Sequence, residues 1–264
     1  MRVTALPRPG SVRPFWRYTA RQWVWAGIDV FFPPRCGGCE RAGYRFCQPC
    51  QAALTLITAP LCAWCGYPLN STQTCPSCQT TERATTALTG IRSVALFEGP
   101  LRHALHRLKY KRDVILADTL ARLMVDAWRG WALPGEVVIP VPLSERRLRE
   151  RGYNQAGLLA RAFAELTGLR YAPQAVARIR HTESQVTLNA AQRQSNVVGA
   201  FQARAGAVAG RVILLIDDVC TTKSTLTSTA QALRDAGAAA VWGFTLGRAY
   251  SRPASLSHLS SEVL

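Results

Sequence analysis

Two aspartates and a run of hydroxyl side chains stand in one short stretch, Asp217-Asp218-Val-Cys-Thr221-Thr222-Lys223-Ser224-Thr225. The apolar run Val212–Ile216 before them reads as a buried strand, so both carboxylates arrive at its C-terminal end, where open α/β sheets bind their ligands. The turn from Cys220 then enters a helix ending at Gly237. A helix N-terminus has unpaired N–H groups and a partial positive charge, which suits a dianionic 5′-phosphate, and the hydroxyls of Thr221, Thr222, Ser224 and Thr225 add donors. Asp217 and Asp218 would face the 2′- and 3′-hydroxyls of a ribose. One aspartate could instead cap the helix, but two at a buried strand's end are harder to explain that way. The Lys223-Ser224 pair lacks the glycines of a nucleotide P-loop.

A second chemistry is written in cysteine. Eight of the 9 cysteines form four Cys-x-x-Cys pairs: Cys36/Cys39, Cys47/Cys50, Cys62/Cys65 and Cys75/Cys78. That spacing lets both thiolates of a tight turn reach one tetrahedral ion, so two structural four-thiolate Zn²⁺ sites are expected. Proximity alone suggests that the first pair joins the second and the third joins the fourth. A disulfide framework would need an oxidising compartment, and nothing in the sequence directs export. Trp64, Tyr44, Phe46 and Tyr67 lie in this module, either to stack bases or to form its small core. Cys220 reads as an ordinary buried thiol.

The surrounding elements predict an α/β domain with a parallel sheet and crossover helices over residues 91–248, preceded by a zinc module at 21–80. Strands are expected near 93–97, 137–141, 212–216 and 239–246, and helices over 101–109, 114–131, 152–166 and 224–236. Residues 1–20 read as a flexible basic leader, 249–264 as a disordered tail, and Thr182–Phe201 as a polar lid. The arginines at 146, 147, 149 and 151 follow the strand ending near Val141. If that strand lies beside the loop strand, they overhang the ligand, with Lys109 in a similar role; the alternative is a solvated helix face. The net charge of +16, from 32 Lys and Arg against 16 Asp and Glu, favours anionic partners. No apolar run is long enough to span a membrane, and no signal peptide is evident, so a cytoplasmic location is expected, with a transit-peptide-like leader as the alternative.

The loop resembles the phosphoribosyl-pyrophosphate loop of type I phosphoribosyltransferases. From Trp23 to Arg248 the chain more closely resembles the ComF family of competence-associated proteins, which joins zinc ribbons to such a domain. The resemblance rests on the paired cysteines, Leu108-Lys-Tyr110, Ile139–Leu143 followed by Arg147 and Arg151-Gly-Tyr-Asn-Gln155, Arg180-x-Thr182 with Gln185, Asn196 with Gly199-Ala-Phe201, and the loop itself. It implies phosphoribosyl pyrophosphate as ligand, Mg²⁺ carried with the pyrophosphate, and pentosyl transfer with Asp217 and Asp218 at the reacting sugar. It also implies a link to DNA uptake, with single-stranded DNA and other uptake proteins as partners; a non-catalytic DNA-binding factor is the alternative. One departure stands out: the family loop has glycine where this chain has Lys223. A lysine with positive φ costs about 1–3 kcal/mol, unless a direct charge contact to the phosphate offsets it.

Overall fold

The computed structural model describes residues 33–69, 74, 75, 78, 87–179 and 199–249, and near the N-terminus 18–21, 23, 25, 27 and 29. The expected lid lies outside these except for Gly199–Phe201, as do the expected tail beyond Ala249 and the leader up to residue 17. Tyr18–Arg21 are helical and the Tyr18 side chain is buried, so residues 18–20 of the stretch read as a flexible leader are ordered.

The α/β domain is built on a parallel sheet of five strands in the order β1 (Gly90–Leu96), β7 (Ala240–Arg248), β6 (Val212–Cys220), β2 (Val137–Pro140) and β3 (Arg170–Tyr171). Central strands of parallel sheets are covered on both faces, and β6 shows why this apolar run is a strand: Ile213 through Ile216 are all buried. The strand runs four residues past the expected end, because Asp217, Val219 and Cys220 continue the ladder with Thr245, Gly247 and Arg248 of β7. A two-stranded antiparallel unit, β4 (Val176–Arg178) with β5 (Phe201–Ala203), stands apart from this sheet.

Helices α2 (Gly99–Tyr110), α3 (Leu116–Gly130) and α5 (Gln155–Thr167) pack one face of the sheet around Phe163 and Phe244, whose rings meet edge-on at 5.7 Å. The short helix α6 (Ala205–Val208) leads into β6, and helix α7 (Ser224–Asp235) packs with β4 and β5 in a separate buried cluster. The helix expected over 152–166 is α5, which starts three residues later, and a separate shorter helix precedes it. α4 (Glu145–Arg151) stops at Gly152, whose φ of 83° closes the helix in the left-handed conformation, and α5 starts after Asn154, whose side chain accepts from Ala156 N. Asn154 also donates to Val141 O at 2.9 Å, pinning this corner to the end of β2.

The cysteine module lies along the β1 edge. Ile57 N donates to Val94 O and Leu96 N to Thr55 O, so the segment joining the two ribbons covers an otherwise open strand. The first ribbon carries the short helix α1 (Gln48–Ala52) and shares the main core: Cys36, Phe46, Cys47 and Cys50 are buried with Leu101, Ala104 and Leu116. A Cβ on Gly37 would stand 2.7 Å from Leu116 Cδ2, so a larger residue here would have to push that buried side chain aside.

Candidate functional site

The cysteines form two groups, Cys36/Cys39/Cys47/Cys50 and Cys62/Cys65/Cys75/Cys78, with the sulfurs of each within 4.8 Å of one another. The pairing therefore follows proximity. Tetrahedral zinc with bonds of about 2.3 Å requires sulfurs about 3.8 Å apart. Here Cys36–Cys50 sulfurs lie at 3.7 Å, Cys39–Cys47 at 3.6 Å and Cys65–Cys75 at 3.6 Å, with all nine cysteines free of disulfides. Burial alone would raise the Cys36 thiol, yet backbone N–H groups of Cys47, Cys39 and Gly38 bring it down to about 6, which favours the thiolate a metal needs. The donor set fits structural Zn²⁺ in both ribbons.

The aromatic residues of the module are largely spoken for. Phe46 is buried, Trp64 Nε1 donates to Leu88 O, and the Arg248 guanidinium lies over the Tyr67 ring at 5.9 Å. Tyr44 is exposed.

A cavity of about 510 Å³ opens at the C-terminal ends of β2 and β6. Asp217, Asp218, Thr221 and Thr225 line one side, and Lys109, Arg147 and Arg151 another. β2 pairs directly with β6, and this places the arginine-bearing α4 over the loop. The four arginines divide by position. Arg146 and Arg149 form exposed pairs with Glu150 and Glu145, while Arg147 and Arg151 line the cavity, together with Glu150. His103, which no part of the cavity uses, contacts Gly38 O beside the first ribbon.

The two carboxylates are electrically different. Asp218 is buried; its Oδ2 pairs with Lys109 Nζ, and its Oδ1 accepts from Gln155 Nε2 at 3.1 Å. Burial opposes ionisation of Asp218, but Lys109 overrides it and holds the carboxyl below its usual range. Burial pushes Asp217 well up, and the adjacent negative Asp218 pushes it further. Asp217 Oδ1 accepts from Asp218 N at 2.8 Å. One carboxylate is thus kept charged and its neighbour inclined to hold a proton, a division suited to accepting from one hydroxyl and donating to the next.

Gln155 was not singled out from the sequence as a site residue. Its amide oxygen accepts from Arg151, so one side chain fixes both an arginine of the cavity wall and the buried aspartate. Its position four residues after Arg151 and directly after the cap Asn154 was the available signal. Arg112 and Arg178 also line the cavity. Arg178 sits on β4, where only the tertiary fold brings it near, and its guanidinium lies 5.6 Å from the Phe201 ring.

Around the helix start the loop residues separate. Thr221 and Thr225 line the cavity, whereas the Thr222 and Ser224 hydroxyls bond to each other at 3.1 Å. Lys223 has a φ of 66°, the left-handed value its glycine counterpart would adopt freely. Its side chain does not turn to the cavity. Lys223 Nζ lies 5.3 Å from the Trp64 ring and 4.0 Å from Cys78 Sγ, so its charge is directed to the second ribbon. Among the described residues, no helix is long and apolar enough to cross a membrane.

The double zinc ribbon domain family matches residues 27–79. The DNA utilization protein YhgH of Escherichia coli K12 is 35% identical over 78% of this chain and 91% of its own. Competence protein F of Haemophilus influenzae is 32% identical over 83% of this chain and 99% of its own, and competence protein ComFC of Bacillus subtilis is 29% identical over 77% and 84%. Among solved structures, adenine phosphoribosyltransferase from Thermoanaerobacter pseudethanolicus shares 13% identity, covering 52% of this chain and 82% of that one at a TM-score of 0.33. The glutamine phosphoribosylpyrophosphate amidotransferase of Bacillus subtilis shares 21%, covering 49% of this chain but only 26% of that enzyme, at a TM-score of 0.35. At such scores the structural likenesses carry no argument; the sequence relatives do, and with double zinc ribbon and parallel α/β sheet in one polypeptide, the chain belongs to the ComF family of competence and DNA-utilization proteins.

Proposed function

We propose that the cavity binds 5-phosphoribosyl pyrophosphate and that the protein transfers its phosphoribosyl group to a nitrogen nucleophile, in the DNA-utilization setting for which its relatives are named. The observation that carries this is the split acidic pair at the open end of β6, with a helix N-terminus on one side and cations on the other. The 5′-phosphate would rest on the first N–H groups of α7 and the hydroxyls of Thr221 and Thr225. The ribose hydroxyls would meet Asp217 and Asp218, and the pyrophosphate would extend toward Arg147 and Arg151. Mg²⁺ arriving with the pyrophosphate would offset its charge.

In the reaction the C1′–oxygen bond breaks, and pyrophosphate leaves with the electron pair. A C1′–nitrogen bond forms, and the nucleophile loses a proton. C1′ becomes cationic on the way, so the nearby ionised Asp218 favours it while the arginines stabilise the leaving group. Calorimetric titration with phosphoribosyl pyrophosphate and Mg²⁺ should give a saturable isotherm of one ligand per chain. Pyrophosphate release in the presence of candidate nucleophiles then tests the transfer step. No heat of binding at millimolar ligand would refute the reading.

A further inference from the structure

The lysine in the loop faces the second ribbon rather than the cavity. Its ammonium is held between the Trp64 face and Cys78 Sγ. Trp64 is itself fixed, with its ring nitrogen donating to Leu88 O and its carbonyl accepting from Ile91 N at 2.8 Å. Two arginines approach the same ribbon: Arg92 donates to Ala63 O at 3.0 Å, and buried Arg248 donates to Cys65 O at 2.8 Å. Four thiolates around one divalent ion leave a net charge of two negative units, so a metal-loaded cluster needs cations close by. Lys223 is the one that also belongs to the ligand loop. It occupies the residue before α7 in a conformation that strains a side-chain-bearing residue, and such strain persists only where surroundings over-determine it.

We propose that Lys223 is a counter-ion of the Cys62/Cys65/Cys75/Cys78 metal cluster and, through that contact, the tether that holds the N-terminus of α7, so that metal in the second ribbon and order in the ligand loop are coupled. Lys223 is a positioning residue in this arrangement: it touches the ribbon and not the cavity. The tether is a structural claim; that it regulates phosphate binding rests on the function proposed above. A glycine at this position would give the same backbone with no link to the ribbon.

The test uses zinc-loaded full-length protein and two substitutions, Lys223→Met, which keeps the stem over Trp64 without the charge, and Lys223→Arg, which restores it. Cysteine alkylation under a competing chelator, read by peptide mass spectrometry, follows each cluster separately. Outer contacts of a metal site typically change its affinity about 10–100-fold. Because the Lys223–Cys78 contact is long, Lys223→Met should expose Cys62, Cys65, Cys75 and Cys78 about tenfold faster, leave Cys36, Cys39, Cys47 and Cys50 unchanged, and be rescued by Lys223→Arg. Hydrogen exchange at the amides of 222–226 should accelerate several-fold in Lys223→Met. Alkylation of the second cluster at the parent rate would overturn the counter-ion role, and unchanged loop exchange would overturn the tether. Neither readout needs a ligand, so a protein that passes both yet binds no phosphoribosyl pyrophosphate retires the proposed function and leaves the coupling standing.

Discussion

Replacing Lys109 by methionine isolates the charge that keeps Asp218 ionised. Asp218 is buried and Lys109 partly so, with side-chain exposures of 5% and 20%. Removing one partner of a buried pair costs about 3–5 kcal/mol, because the remaining charge loses its compensation. Gln155 still donates to Asp218 in the variant, so the lower end applies: about 3 kcal/mol at pH 7, or a fall of roughly 6–12 °C in the unfolding midpoint. The pH dependence follows from direction. In the parent, Lys109 holds the folded Asp218 carboxyl below its usual value, so its contribution is present above the ordinary carboxylate range and lost as pH falls through the folded value. Without Lys109, burial and Asp217 push the same carboxyl up. Its contribution is then present at low pH and lost as pH rises, so the deficit of the variant should shrink on acidification from pH 7 toward pH 5. Urea unfolding of parent, Lys109→Met, Asp218→Asn and the double variant, with zinc held constant, measures this. In the Asp218→Asn background Lys109→Met should cost under about 1 kcal/mol. A single-variant cost below about 1 kcal/mol at pH 7, or one that neither acid nor Asp218→Asn relieves, would refute the ion-pair account.

Several other outcomes are expected. The Asp217→Asn, Asp218→Asn double variant should weaken phosphoribosyl pyrophosphate binding at least tenfold in calorimetry; parental affinity would mean that the pair is not the ribose site. Because folding raises the Asp217 carboxyl, its contribution to stability is complete below the ordinary carboxylate range and lost as pH rises through the folded value, with a slope of at most about 1.4 kcal/mol per pH unit that Asp217→Asn should abolish in urea titrations. Metal analysis should find about two zinc ions per chain, and finding disulfides in place of metal in freshly reduced protein would contradict the cluster geometry. Cys36→Ser should lower the unfolding temperature of the whole chain rather than of a separate module, since the first cluster shares its core with α2 and α3; calorimetry showing an unshifted α/β transition would contradict that.

The sequence by itself determined the elements whose signals are local. Cys-x-x-Cys spacing fixes which thiolates can meet around one ion, and proximity was enough to group Cys36 with Cys50 and Cys62 with Cys78. The apolar run into Asp217-Asp218 and the hydroxyl-rich turn after it marked the strand, the helix start and the cavity between them, because period and capping act within a few residues. Other features exist only after strands and helices are brought together. The four arginines of α4 look alike in sequence, but in the fold Arg147 and Arg151 line the cavity while Arg146 and Arg149 pair with glutamates of their own helix. The unequal charge of the two aspartates depends on Lys109 and Gln155, which reach them from α2 and α5. The positive φ of Lys223 could be anticipated from its place in the loop. The direction of its side chain could not, because the second ribbon lies more than a hundred residues earlier in the chain, and only its docking on the sheet edge puts Trp64 and Cys78 beside the start of α7.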